Sequence, residues 1–123
     1  MSGKITTHVL DISTGKAAAG MELELWQLNE ESGERRLLQS AATNGDGRLD
    51  APLLAGEDMK LGVYELVFDA GRFLSRDSGA VQAASIEFIF QQIPIRFRVK
   101  DTQAHYHIPL LVAPGGYSTY RGT

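Results

Sequence analysis

The chain of 123 residues contains no cysteine. That excludes a disulfide framework and any zinc site built on thiolates, and it suits a reducing compartment. Long apolar runs are missing too: no stretch approaches the ~18 residues of a membrane span. The opening "MSGKITTHVL" has no apolar segment after its lysine to act as a secretory leader. The net charge is −3 and the basic residues form no block, which argues against a nucleic-acid partner. Neither a G-x-S-x-G nucleophile elbow nor a phosphate-binding glycine loop is present. These absences leave a soluble cytoplasmic domain as the expectation, with no nucleic acid and no membrane as partner.

What is present is alternation. In "MELELWQLN", Met21, Leu23 and Leu25 share one face and Glu22 and Glu24 the other, until Trp26 and Leu28 make the second face apolar too. This predicts a strand with parts of both faces covered. "GVYELVFD" (Gly62 to Asp69) is β-rich, and "IPIRFRVK" sets Ile93, Ile95, Phe97 and Val99 against Arg96, Arg98 and Lys100. Pro94 has no N–H, so that strand begins there or lies at an edge. Turn signals at 13–20, 30–34, 44–47 and 113–116 separate the runs. A short helix fits only "AGRFLSRDSG", with Phe73 and Leu74 toward the sheet and Gly79 ending it. Seven or eight short strands at this spacing predict an all-β fold, an antiparallel β-sandwich. A single domain over residues 1–123 is long enough to build a core without staples.

Only three histidines occur, and two of them are two residues apart. In "AHYHIPLL", parity groups His105, His107 and Pro109 on one face and Tyr106, Ile108 and Leu110 on the other. The apolar triplet belongs to the core, so both imidazoles project outward. In "TTHVLDI" the same rule groups His8 with Leu10. Leu10 and Pro109 beside the histidines are apolar residues that need cover, which raises the expectation of a site or a subunit interface. His-x-His plus a third histidine is also the donor pattern of an open hydrolytic zinc site, although no second shell is evident. "TNGDGRLD" imitates a calcium loop, but with Gly47 at the sixth position the twelfth is Leu53, where a bidentate Glu is required. Asn44 to Gly47 read instead as a tight turn, and Arg48 directly after it can reach across a cleft.

Taken in order, "HVLDISTGKAAAGM", "TNGDGRLD", "YELVFD" and "HYHIPLLVAPGGYSTYRG" resemble the transthyretin-related 5-hydroxyisourate hydrolases, from about Ile5 to the end of the chain. The resemblance implies a transthyretin-like sandwich of two four-stranded sheets with one short helix, assembled as a homotetramer, a dimer of dimers. It implies hydrolysis of the small molecule 5-hydroxyisourate to 2-oxo-4-hydroxy-4-carboxy-5-ureidoimidazoline in urate degradation, without metal or organic cofactor. Carried over, the catalytic set is His8, Arg48 and His107, with His105, Tyr120, Arg121 and Thr123 binding substrate. Thr123 stands where the family usually has serine and keeps its hydroxyl. "GAVQAASIEFIFQQIP" departs from the family's more common Phe-Phe-Pro stretch, which leaves the loop around 79–92 open. The residues leave His8 and His107 equal as candidates for the base. The competing readings are a small-molecule carrier of transthyretin type and a His-ligated zinc hydrolase.

Overall fold

The alternating segments become strands, and the longest of them form one face of a sandwich. The computed structural model describes residues 3–76 and 89–123 in full and 77–83 as backbone. One sheet is built from β4 (Glu22–Leu28), β5 (Arg35–Ala42), β7 (Gly62–Phe68) and β8 (Ile93–Val99), in the order β5-β4-β7-β8, all antiparallel. Leu23, Leu25, Tyr64, Leu66 and Phe68 turn inward and are essentially inaccessible. A bulge at Leu25/Trp26 shifts the register where the sequence pattern changes. Trp26 then lies on the outer side, covered by the Arg35 guanidinium 4.4 Å above its ring. Glu65, buried on that same side, is held by Arg35 at 3.1 Å and Arg96 at 3.2 Å. β8 is an edge strand, so the missing N–H of Pro94 costs no ladder bond.

Among the described residues the opposite layer consists of seven short segments. β1 (Lys4–Thr6) pairs with β6 (Leu54–Ala55) and, in parallel, with β9 (His105–His107). β2 (Val9–Asp11) pairs with β3 (Lys16–Ala17) and, again in parallel, with β10 (Leu110–Ala113), which carries β11 (Gly116–Thr119) on its far edge. β1 and β2 are thus two halves of one run interrupted at Thr7–His8, and β9 and β10 two halves of another interrupted at Ile108–Pro109. Pro109 cannot donate to a ladder. Backbone bonds from Ile108 N to Thr6 O and from Leu110 N to His8 O, both 2.9 Å, hold the layer together across the seam. The Thr7 hydroxyl completes it by donating to Ile108 O at 2.7 Å. The two expected four-stranded sheets are present; the broken strands add the three-stranded β6-β1-β9 sheet and raise the strand count above seven or eight.

Two expectations are corrected. The helix α1 spans Ala70–Ala83, running through Gly79 instead of stopping there. Glycine inside a helix costs only about 1 kcal/mol, and Ala80, Gln82 and Ala83 after it are good helix formers. Phe73 and Leu74 are buried in the core as expected. Of the loop left open around 79–92, residues 84–88 lie outside the described residues. Pro109 is buried rather than outward and exposed, because the seam draws its ring into the layer. No helix among the described residues is long and apolar enough to cross a membrane.

Candidate active site

The seam gathers the residues with chemistry. His8 occupies the break between β1 and β2, and an isolated antiparallel bridge joins it to Arg48; a second such bridge joins His107 to Gly122. Asn44 builds the turn that delivers Arg48: its side-chain oxygen accepts from Asp46 N at 2.9 Å and Arg48 N at 3.2 Å. Gly47 then enters the left-handed region, φ 76°, and its carbonyl accepts from Val9 N at 2.8 Å. A Cβ on Gly47 would meet Val9 O at 2.4 Å and His8 Cδ2 at 3.3 Å, so only glycine lets the turn dock this closely.

On the other side, Gly122 N donates to His107 O at 2.8 Å. A Cβ on Gly122 would lie 2.5 Å from His107 Cδ2, so the ring rests against bare backbone. Residues 120–123 are thereby tied to the strand that carries the histidines. Lys4, Thr6, Arg48, His105, His107 and Thr123 line a cleft of about 300 Å³, closed along one side by Leu49 to Pro52. A larger groove of about 480 Å³ lies on the other sheet, but it offers carboxylates and Arg72, which already pairs with Glu22 at 3.0 Å. It holds no imidazole, and two of the three histidines line the smaller cleft.

Hydrogen bonds orient all three imidazoles. His8 Nε2 lies 3.0 Å from Asp46 O. A carbonyl only accepts, so Nε2 carries the proton and Nδ1 holds the lone pair of the neutral ring. The Thr6 hydroxyl sits between the other two, 2.6 Å from His105 Nε2 and 2.8 Å from His107 Nδ1. The ring centroids of His105 and His107 are 5.9 Å apart. Burial first, then the positive neighbours His105, Arg48 and His8, hold the His107 pKa below the ordinary histidine value of 6.5. Burial, Lys4 and Arg121 lower that of His105. Both shifts favour the neutral, proton-accepting form at neutral pH.

Arg48, His105, His107 and Thr123 therefore line one cleft, with His8 bridged to Arg48 and near enough to act on His107 by charge, whereas Tyr120 and Arg121 are not among the lining residues. Tyr120 is 58% exposed. Arg121 points away from the cleft. Its guanidinium lies 4.6 Å over the Tyr106 ring and donates to His105 O at 3.3 Å, lining a separate groove with Arg98 and Lys100. Within one chain it acts on His105 by charge and not from inside the cleft. Sequence reasoning missed Thr6 and Lys4. The signal was there: in "KITTH" they share the outward face with His8. Nothing local showed that this strand would run parallel beside "HYH".

Among the described residues no three His, Asp or Glu side chains are placed to hold a metal ion. His105 Nε2 and His107 Nδ1 both face the Thr6 hydroxyl rather than a common centre.

Comparison with known proteins adds to this geometry. The profile of the HIUase/Transthyretin family matches residues 5–122. The chain is 55% identical over 123 residues to 5-hydroxyisourate hydrolase of Halalkalibacterium halodurans, covering all of both chains. It superposes on the structure of Klebsiella pneumoniae 5-hydroxyisourate hydrolase with a TM-score of 0.77 and 36% identity, covering both chains fully. It superposes on a sea bream transthyretin bound to thyroxine with a TM-score of 0.83, covering 98% of this chain and 95% of that one. Identity there is only 20%, so that likeness shows the fold alone.

Proposed function

The chain belongs to the HIUase/Transthyretin family, and we propose that it hydrolyses 5-hydroxyisourate with His107 as general base and Arg48 as oxyanion partner. It is a 5-hydroxyisourate hydrolase of urate degradation. Water adds to the C6 carbonyl and the ring C–N bond breaks, giving the carboxylate of 2-oxo-4-hydroxy-4-carboxy-5-ureidoimidazoline. The observation that carries the residue assignment is the state of His107. Its Nδ1 is engaged by Thr6, its Nε2 has no hydrogen-bond partner among the described residues, and its pKa is held low by burial and by the neighbouring His105, Arg48 and His8. A neutral imidazole with one open nitrogen is what proton abstraction from water requires.

In this mechanism His107 Nε2 takes the proton as water attacks. Arg48, always charged, grips the planar substrate through its fork and stabilises the oxygen as it becomes anionic. The His107 imidazolium then returns its proton to the departing ring nitrogen. His8, with Nε2–H fixed on Asp46 O, presents Nδ1 as an acceptor that orients the attacking water. His105 and Thr123 line the substrate cleft. Tyr120 and Arg121 bind substrate through the rim of the assembled site.

The reaction uses no metal in this reading: His107 Nε2 takes a proton from water and His8 Nδ1 orients that water, roles that need both lone pairs free. The decisive experiment follows the ultraviolet decay of fresh 5-hydroxyisourate with and without exhaustive chelation. Equal acceleration in both is expected. Loss of activity restored by zinc would overturn the acid–base assignment, and no acceleration at all would leave a carrier.

The working unit is a homotetramer. Leu10 and Leu111, directly paired across β2 and β10, are only partly buried and form an apolar row on the outer face of the layer that carries the site. Exposed Tyr120 continues it. Such a row wants covering by another copy. Sedimentation at assay concentration should show tetramers; a fully active monomer would refute this. The same reading places the enzyme in the cytoplasm, a compartment that a cysteine-free chain suits.

A further inference from the structure

We propose that Thr6 is a positioning residue that ties the protonation patterns of His105 and His107 together, so that His107 offers a lone pair to the cleft. The inference rests on the hydrolase reading for the direction of the bridge and its kinetic consequence, and on geometry for the bridge itself. A hydroxyl has one proton to donate and lone pairs to accept with. Thr6 Oγ1 faces one nitrogen from each ring, at 2.6 Å and 2.8 Å.

If neither facing nitrogen carried a proton, the hydroxyl would satisfy one ring and leave the other unpaired. If both carried one, the hydroxyl's own proton would be left to solvent. The bridge is complete within the protein when one ring donates and the other accepts. The direction that leaves a lone pair on His107 Nε2 is the one that the base assigned above requires. Thr6 donates to His105 Nε2, and His107 Nδ1–H donates to Thr6. His105 then carries its proton on Nδ1, while His107 keeps Nε2 bare toward the cleft. His105 thus acts through Thr6, as the acceptor that stops the hydroxyl proton from turning toward His107 and forcing the other tautomer.

The sequence hides this arrangement because the partners are 99 and 101 residues apart. The parallel register of β1 on β9, Lys4 opposite His105 and Thr6 opposite His107, creates it. The backbone oxygen of Thr6 is committed to Ile108 N, so side-chain changes leave the ladder intact. Thr6→Val keeps the β-branched shape and removes only the hydroxyl.

The test combines spectroscopy and kinetics on the full-length protein. Nitrogen-15 NMR of the free enzyme, at a pH where both rings are neutral, should show His107 protonated on Nδ1 and His105 on Nδ1. Thr6→Val should scramble both patterns and Thr6→Ser should restore them. In the hydrolase assay Thr6→Val should lower kcat about tenfold, the worth of one ordinary hydrogen bond, with KM little changed. Thr6→Ser should recover most of it. The double variant Thr6→Val/His105→Phe should lose no more than the worse single one, since both act through one path. Wild-type tautomers other than these, or a Thr6→Val enzyme with unaltered tautomers and kcat, would overturn the proposal. Correct tautomers that scramble in Thr6→Val, in a wild-type protein that does not hydrolyse 5-hydroxyisourate, would support the coupling and defeat only the hydrolase reading.

Discussion

His107→Ala lowers kcat by roughly 10²- to 10⁴-fold, the range a positioned general base supplies. The ring is half-buried at the seam and lies outside the hydrophobic core, so the variant should fold, with unchanged circular dichroism and assembly. The pH profile identifies the cause. The active form of the base is neutral, so wild-type kcat/KM rises with pH through the His107 pKa and levels off above it. Burial and the neighbouring His105, Arg48 and His8 place that pKa below 6.5. The acid limb should therefore be centred below pH 6.5 in the wild type and absent from the residual activity of the variant. A His107→Ala enzyme within a few fold of wild type, keeping its acid limb, would move the base elsewhere, with His8 Nδ1 the next nitrogen to examine.

Arg48→Lys fails nearly as badly as Arg48→Ala, each losing roughly 10²–10³-fold in kcat/KM, what one preorganised oxyanion donor is worth. The planar fork reaches two substrate atoms at once, and a flexible ammonium presents a point charge. Stability should hardly change: the side chain is exposed, and the turn depends on Arg48 only through its backbone, which bonds to Asn44. The two variants differ in one respect. Arg48 is among the charges that depress the His107 pKa. Alanine removes that charge and should move the acid limb toward higher pH, whereas lysine should leave it nearly in place. Near-normal kcat/KM in the lysine variant would show that Arg48 serves only as a positive charge.

Much of the fold was legible because strand parity is a local property. Met21, Leu23 and Leu25 turn inward, Pro94 lies on an edge, and His8 shares a face with Leu10, each as the period of two requires. Parity failed where a strand breaks. Pro109 lies at the seam and is buried, since alternation cannot be extended through a residue that interrupts the ladder. Glycine's propensity misled at Gly79, where about 1 kcal/mol did not stop a helix that continues through Ala80, Gln82 and Ala83. The site was legible as a set of residue types, His8, Arg48, His105, His107 and Thr123, which the cleft and its surroundings bring together. Arg121 departs from that set because the antiparallel bridge between Gly122 and His107 fixes which way each neighbour points.

The sequence by itself determined the all-β class, the inward and outward faces of the strands, the turn that carries Arg48 and the family to which the chain belongs. All of these are written in short-range pattern or in residue identity at matching positions. Only the tertiary structure decided which imidazole nitrogens are engaged and which are open, which way Arg121 faces, and that Thr6 stands between two histidines about a hundred residues away. Those answers depend on β1 lying parallel to β9 in one particular register. That pairing is set by burying the whole core at once, and no window of sequence contains it.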